Sequence, residues 1–232
     1  MVAALFVERD GAYYGLPNVD PWDAERDARR YSGPYPVVAH PPCQRWGRFW
    51  SGGPNASFPR ELGDDKGCFA AALAAVRRWG GILEHPEASH AWAAHGLCRP
   101  PIDGTWVAAD WLDGFRGWTC CVAQGAYGHR AVKKTWLYMH GVDPPSLKWG
   151  RRPPGEFLSL GGDGFHSAEE RQRVRSSPEY KRKPRLQSWE HAATPPEFRD
   201  LLLSIARAAV ANENAEPGDR LKAEQSELSS DG

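Results

Sequence analysis

The chain lacks any window approaching about 18 uninterrupted apolar residues, which excludes a membrane-spanning helix from the reading. Its opening, "MVAALFVERD", is too short and too soon acidic for a signal peptide, so a soluble, cytoplasmic protein without a membrane partner is expected. It also lacks net charge: 29 Lys and Arg offset 29 Asp and Glu, and no global field announces nucleic acid. Cysteine is scarce and irregular. Cys43, Cys68, Cys98, Cys120 and Cys121 form an odd set with no CxxC, against a disulfide framework or a four-cysteine zinc site, so reduced thiols are expected. Abundant instead are 11 Trp and 20 Pro. Half-exposed Trp can stack on bases or partners as well as fill a core.

Short apolar runs read as buried strands at "VAALFVE", "YPVVAH", "GILEHP", "GWTCCVAQ" and "KKTWLYMHG", with one more short strand expected in "GAYYGLPNVDPWD". "DAERDARRY" reads as a short charged helix. "DDKGCFAAALAAVRRWG" is the clearest helix, with Asp64 and Asp65 at its start and Phe69, Leu73, Val76 and Trp79 at helical spacing. "EASHAWAAHGL" reads as helical, and "TPPEFRDLLLSIARAAV" as a helix capped by Thr194. The alternation predicts an α/β fold with a mainly parallel sheet flanked by helices, whose ligands gather at the strands' carboxyl ends. The expected division is a catalytic α/β domain over 1–145 and 190–211, a basic insert over 146–189, and a disordered polar tail over 212–232.

Two prolines end the third strand in "VVAHPPCQRWG". They fix two φ angles and remove two backbone donors, so Cys43 is expected on a stiff loop at the sheet's edge. Arg45 and Arg48 beside it predict a lowered thiol pKa. Glu84 follows "GIL" directly, and a carboxylate at that depth has to be satisfied by partners. The stretch with Lys148, Arg151, Arg152, Arg171, Arg173, Arg175, Lys181, Arg182, Lys183 and Arg185 is locally basic and suits phosphate contact. His85, His90, His95 and Cys98 cluster in sequence, but His90 and His95 share no helix face well, and no metal is expected.

Taken in order, these segments resemble the DNA cytosine-5 methyltransferase family. "HPPCQRWG" resembles the Pro-Cys-Gln nucleophile loop, and "GILEHPE" the Glu-Asn-Val strand end, with His85 and Pro86 replacing Asn and Val. "GHRAVKKTWLYMHG" is similar to the Gln-x-Arg-x-Arg segment, with His129 for Gln, Arg130 kept and Lys133 near the second Arg. "HAATPPEFRDLLLSIARA" resembles a late Asn-x-Val-x-Pro helix start, and "LFVERDGAYYGL" the Leu-Phe-x-Gly-x-Gly-Gly opening.

The resemblance implies a methyltransferase-like, Rossmann-like fold and methyl transfer to C5 of cytosine in DNA from S-adenosyl-L-methionine. Cys43 would attack C6, Glu84 would support the charge developing near ring nitrogen 3, and Arg130 would hold the base carbonyl or the thiolate loop. Phe6, Gly11, Pro41 and Thr194 would border the cofactor, with Asp20 or Asp23 on its ribose. Gln44, Arg45 and Lys133 fall to the substrate, and Arg171, Arg173 and Arg175 to DNA phosphates.

The chain departs from that pattern at the opening turn, where Val7, Glu8, Arg9 and Asp10 stand before the one retained Gly11 and are expected to crowd a cofactor's approach. Only 31 residues separate Gly11 from Cys43, too few for the family's intervening strand and helix units. The alternatives left open are thiol chemistry with another donor, and a catalytically silent or zinc-containing DNA-binding protein.

Overall fold

The computed structural model describes residues 1–52, 58, 60–102, 105–109, 116–149, 157 and 168–209, with 168, 170, 171, 179 and 188 described by backbone alone. The polar tail over 212–232, and Arg151 and Arg152 of the basic stretch, lie outside the described residues.

Strand β1 (Val2–Leu5) is buried along its whole length, as its unbroken apolar run requires of a strand paired on both edges. It lies between β2 (Val19–Trp22) and β3 (Val37–Ala39), and β3 pairs with β4 (Gly81–Pro86), all parallel. Pro21 is tolerated in β2 because that strand is an edge of the sheet. Next come β7 (Lys134–His140), β6 (Trp118–Ala123) and β5 (Val107–Ala108), each antiparallel to its neighbour, giving the order β2-β1-β3-β4-β7-β6-β5.

This corrects the expected architecture. The sheet is mixed, not mainly parallel: three pairings are parallel and three antiparallel. The connections explain why. Between β6 and β7 runs a short link holding the 3-10 helix Gln124–Tyr127, and a link that short joins strands only as a hairpin. The chain between β1 and β2 has no helix, and "DAERDARRY" yields only a 3-10 turn at Ala28–Arg30. Helices are correspondingly few. Helix α1 (Cys68–Trp79) buries Phe69, Ala72, Leu73 and Val76 against one face of the sheet, and the short α2 (Ala91–Ala94) joins that side through Ala91 and Trp92. Towards the end come α3 (Ala168–Ser176), α4 (Pro178–Arg182) and α5 (Ser188–Ala192). The last helix, α6 (Pro196–Ala208), covers the opposite face with Phe198, Leu202, Leu203, Ile205 and Ala206. Each of its large side chains contributes on the order of 2 kcal/mol by leaving water.

Two helix starts differ from expectation. Helix α1 begins at Cys68, and Asp65 caps it from outside, accepting the amides of Gly67 at 2.9 Å and Phe69 at 2.7 Å. Helix α6 begins after Pro195, so Thr194 does not cap it. Gly81 opens β4 at φ 123°, and a Cβ there would lie 2.0 Å from the carbonyl oxygen of Val37, so only glycine lets β3 and β4 close together. None of the helices described here is long and apolar enough to cross a membrane.

A candidate active site at the end of the third strand

The amide of His40 donates to the Leu5 carbonyl at 3.0 Å, one step beyond the β1–β3 register, and Pro41 and Pro42 then stop the pairing. The chain turns at once. The Cys43 carbonyl accepts the amides of Trp46 at 3.0 Å and Gly47 at 2.8 Å, and the Arg45 carbonyl accepts Gly63 at 3.0 Å. Trp46 is buried, and its indole donates to Asp65 at 2.8 Å, so the carboxylate that caps α1 also anchors the cysteine loop. Cys43 thus sits in a hydrogen-bonded turn just past the carboxyl end of β3.

Cys43 and Glu84 line one cavity of about 370 Å³, together with Gln44, Lys133, Thr135 and His191. The rim carries Arg48, Arg60, Phe49 and Trp50. Phe49 is 63% exposed, an open aromatic face beside cations. Arg48 lies 4.0 Å and Lys134 3.9 Å from Glu87, so part of the cationic charge is already balanced.

Glu84 is 14% exposed at its side chain, and its oxygens are met by donors. Gln124 Nε2 lies 3.1 Å and Thr135 Oγ1 3.2 Å from Oε1, while His40 Nδ1 lies 3.1 Å from Oε2. Burial pushes the carboxyl's pKa up, but the His40 hydrogen bond and the charges of His40, Lys133 and His85 outweigh it and hold Glu84 at about 2. His85 is driven down to about 4 by burial, against the charge of Glu84 and the backbone carbonyls of Pro42 and Pro41, and is neutral. Its Nδ1 pairs with Ser89 Oγ at 2.7 Å.

The expected lowering of the Cys43 pKa is reversed. Burial raises it first and the charge of Glu84 adds to that; the loop's backbone and Lys133 pull down less strongly. Arg45 does not line the cavity, and Arg48 points its charge at Glu87. The resting group is a thiol.

The other expected residues are placed as follows. Arg130 is 56% exposed, pairs with Glu190 and lies over the Phe157 ring at 3.8 Å, outside the cavity lining; Lys133 and Lys134 are the basic groups of that segment that reach the cavity. Lys133 has φ 40°, and its ammonium donates to the carbonyls of Ala192 at 3.2 Å and Ala193 at 2.9 Å, tying the approach to β7 to the end of α5. Arg173 and Arg175 are exposed on α3 away from the cavity lining, and Arg171 is described by backbone alone. Lys148 is committed to Glu197 and to the Ala126 carbonyl.

At the opening turn, Phe6 and Asp10 take positive φ, 59° and 57°. Glu8, Arg9 and Asp10 are exposed at this turn, and Arg9 pairs with Asp23 and Glu25. Asp20 accepts the Trp22 indole at 2.8 Å and Arg26 at 2.6 Å. Asp23 is buried and accepts Tyr14 at 2.8 Å, Arg9 at 3.3 Å and the amides of Glu25 and Arg26, so both carboxylates proposed for a ribose are taken by the protein's own donors. Gly11 packs tightly, since a Cβ there would meet the Glu8 carbonyl at 2.9 Å. Pro41 is buried behind Cys43, and Thr194 lies at the chain's approach to α6.

Of the histidine cluster, His85 and His95 pack edge-on or tilted against Phe69, and among the described residues no group of three or more His, Cys, Asp or Glu is placed to hold a metal. The sequence reading missed Tyr13, Gln124, Thr135 and His191. Thr135 was detectable in principle, since alternation along β7 puts it on the face of Leu137, the residue paired with Glu84. No family model, no curated protein and no solved structure matches the chain, so the site is read from its own residues.

Proposed function

We propose that the protein modifies a pyrimidine base of DNA through a covalent Cys43 adduct, with one-carbon transfer to C5 of cytosine as the reaction. The observation that carries this reading is the shared cavity: Cys43 and the carboxylate of Glu84, acting only as an acceptor, beside the ammonium group of Lys133, in about 370 Å³. Pockets of this scale suit a single heterocycle and a small reactant.

The chemistry follows from the groups. C5 of a cytosine is weakly nucleophilic until a nucleophile adds at C6. The Cys43 thiol gives up its proton to solvent, sulfur bonds to C6, and the C5–C6 π electrons move towards C5. Glu84 accepts an N–H of the exocyclic amino group, which aligns the ring and favours cytosine over a base with a carbonyl there. Lys133 stabilises the thiolate, since its charge acts on Cys43 against that of Glu84. C5 then attacks the carbon of an electrophilic one-carbon donor, whose leaving group departs with the electron pair of the broken bond, and loss of the C5 proton to solvent re-forms the double bond and expels the thiolate.

S-adenosyl-L-methionine is the donor the resemblance implies, but the residues expected to hold it fit poorly. Asp20 and Asp23 already satisfy Trp22, Arg26, Tyr14 and Arg9. The donor fits the site only as an electrophilic one-carbon compound of unassigned carrier.

DNA is the proposed polymer. The exposed Arg173 and Arg175 of α3 and Lys181 and Arg182 of α4 supply phosphate contacts, and a base inside a duplex is flipped out to reach Cys43.

The test is trapping with DNA containing 5-azacytosine, whose ring nitrogen in place of C5 makes C6 more electrophilic. A cross-link that survives denaturant and maps to Cys43 is expected. Its absence with folded protein, or its persistence in Cys43→Ser, removes Cys43 addition from the account.

A further inference from the structure

Tyr13, His40 and Glu84 come from three separate segments and form one hydrogen-bonded chain. Tyr13 Oη lies 2.8 Å from His40 Nε2, and His40 Nδ1 lies 3.1 Å from Glu84 Oε2. Tyr13 is buried, and its ring packs at 5.3 Å from that of His40. Burial and the charge of Glu84 keep the Tyr13 hydroxyl protonated. An ionised carboxylate only accepts, so the proton between His40 and Glu84 sits on Nδ1, and the Tyr13 hydroxyl holds the ring from its Nε2 side.

On the other oxygen, the buried Gln124 amide donates both to Glu84 at 3.1 Å and to Thr135 Oγ1 at 2.8 Å, which obliges the Thr135 hydroxyl to spend its own proton on Oε1. Oε1 therefore receives two donors and Oε2 one, leaving acceptor capacity on Oε2 in a residue that lines the cavity.

We propose that His40, held in place by Tyr13, is a positioning residue that fixes Glu84 as an acceptor-only carboxylate with one oxygen free for a donor of the bound base. It deepens the base-modification reading, on which its chemical purpose rests. His40 immediately precedes the prolines that place Cys43, so one short segment sets both the nucleophile and the state of its carboxylate partner.

The charged and titratable groups facing Glu84 are His40 from the end of β3, His85 from β4, and Lys133 and Cys43 from the flanking loops. Tyr13 faces it through His40, with Arg199 and Asp200 of α6 behind. Lys133 and His85 remain in a His40 variant, so only part of the effect on Glu84 is removed.

The test is carbon-13 NMR of carboxyl-labelled glutamate in the full chain without substrate, with the Glu84 resonance identified by its loss in Glu84→Gln. In the wild-type protein Glu84 stays ionised down to about pH 2. In His40→Leu the midpoint is expected to rise by on the order of two pH units, and His40→Asn, which returns an uncharged donor near Nδ1, to reverse the hydrogen-bond share of that rise. Tyr13→Phe is expected to raise the midpoint in the same direction by less, and it keeps the test available if His40→Leu does not fold. An unchanged Glu84 midpoint in folded His40→Leu, or in Tyr13→Phe if His40→Leu does not fold, overturns the assignment. Because no substrate is present, that result is separable from any failure of the base-modification reading.

Discussion

The carboxylate of Glu84 and the thiol of Cys43 line the same cavity, and the charge on the first raises the pKa of the second. The thiol is therefore the resting form of Cys43. Iodoacetamide alkylation of Cys43, followed by mass spectrometry against pH, is expected to show a midpoint above that of an ordinary thiol, about 8.5. Glu84→Gln moves the midpoint down, and Lys133→Met moves it up. A midpoint below the ordinary value contradicts this electrostatic picture.

Glu84 also links stability to acid. Its folded-state pKa is about 2, below the ordinary carboxylate value of about 4. A depressed carboxyl pKa contributes stability that is fully present above the unfolded value and is lost as pH falls through the folded one. The wild-type protein is expected to lose on the order of 3 kcal/mol from this group between about pH 4 and pH 2. Urea melts across that window are expected to be flatter in Glu84→Gln; equal slopes sink the assignment.

Asp65 joins a helix cap to the cysteine loop through Phe69 and Trp46. Asp65→Ala is expected to cost about 2 kcal/mol in denaturant unfolding, combining a lost cap with an orphaned buried indole. It is also expected to raise the alkylation rate of Cys43 by loosening its loop. Unchanged stability rules out the anchor.

For DNA contact, charge reversal at Arg171, Arg173 and Arg175 is expected to weaken binding and reduce the slope of log affinity against log salt. An unchanged slope places those side chains away from phosphate.

S-adenosyl-L-methionine is expected to bind weakly by calorimetry, with a dissociation constant on the order of 100 μM or higher, because Asp20 and Asp23 must break internal hydrogen bonds to reach it. Low-micromolar binding contradicts that and restores the ordinary methyl donor.

What the sequence revealed and what it hid divide along physical lines. Short apolar runs betrayed β1, β3, β4, β6 and β7, and helical spacing betrayed α1 and α6, because burial imposes those patterns. Strand direction leaves no such mark: Trp118–Ala123 and Lys134–His140 read alike whether parallel or hairpin-linked, so half the sheet's pairings were misjudged. Cys43 and Glu84 stood out because prolines stop a strand before one and a charge directly follows an apolar run at the other. Tyr13 and Gln124 arrive at Glu84 only through the fold, and adjacent arginines suggested an acidic thiol where burial and Glu84 make a weak one.

The measurement closest to the central claim is mass spectrometry of nucleosides from the DNA of cells expressing the wild-type chain and, in parallel, Cys43→Ser of equal fold by near-ultraviolet circular dichroism. The account predicts a cytosine nucleoside carrying a one-carbon group at C5 in the first and its absence in the second. Unmodified DNA in both, or the same modified base in both, contradicts it.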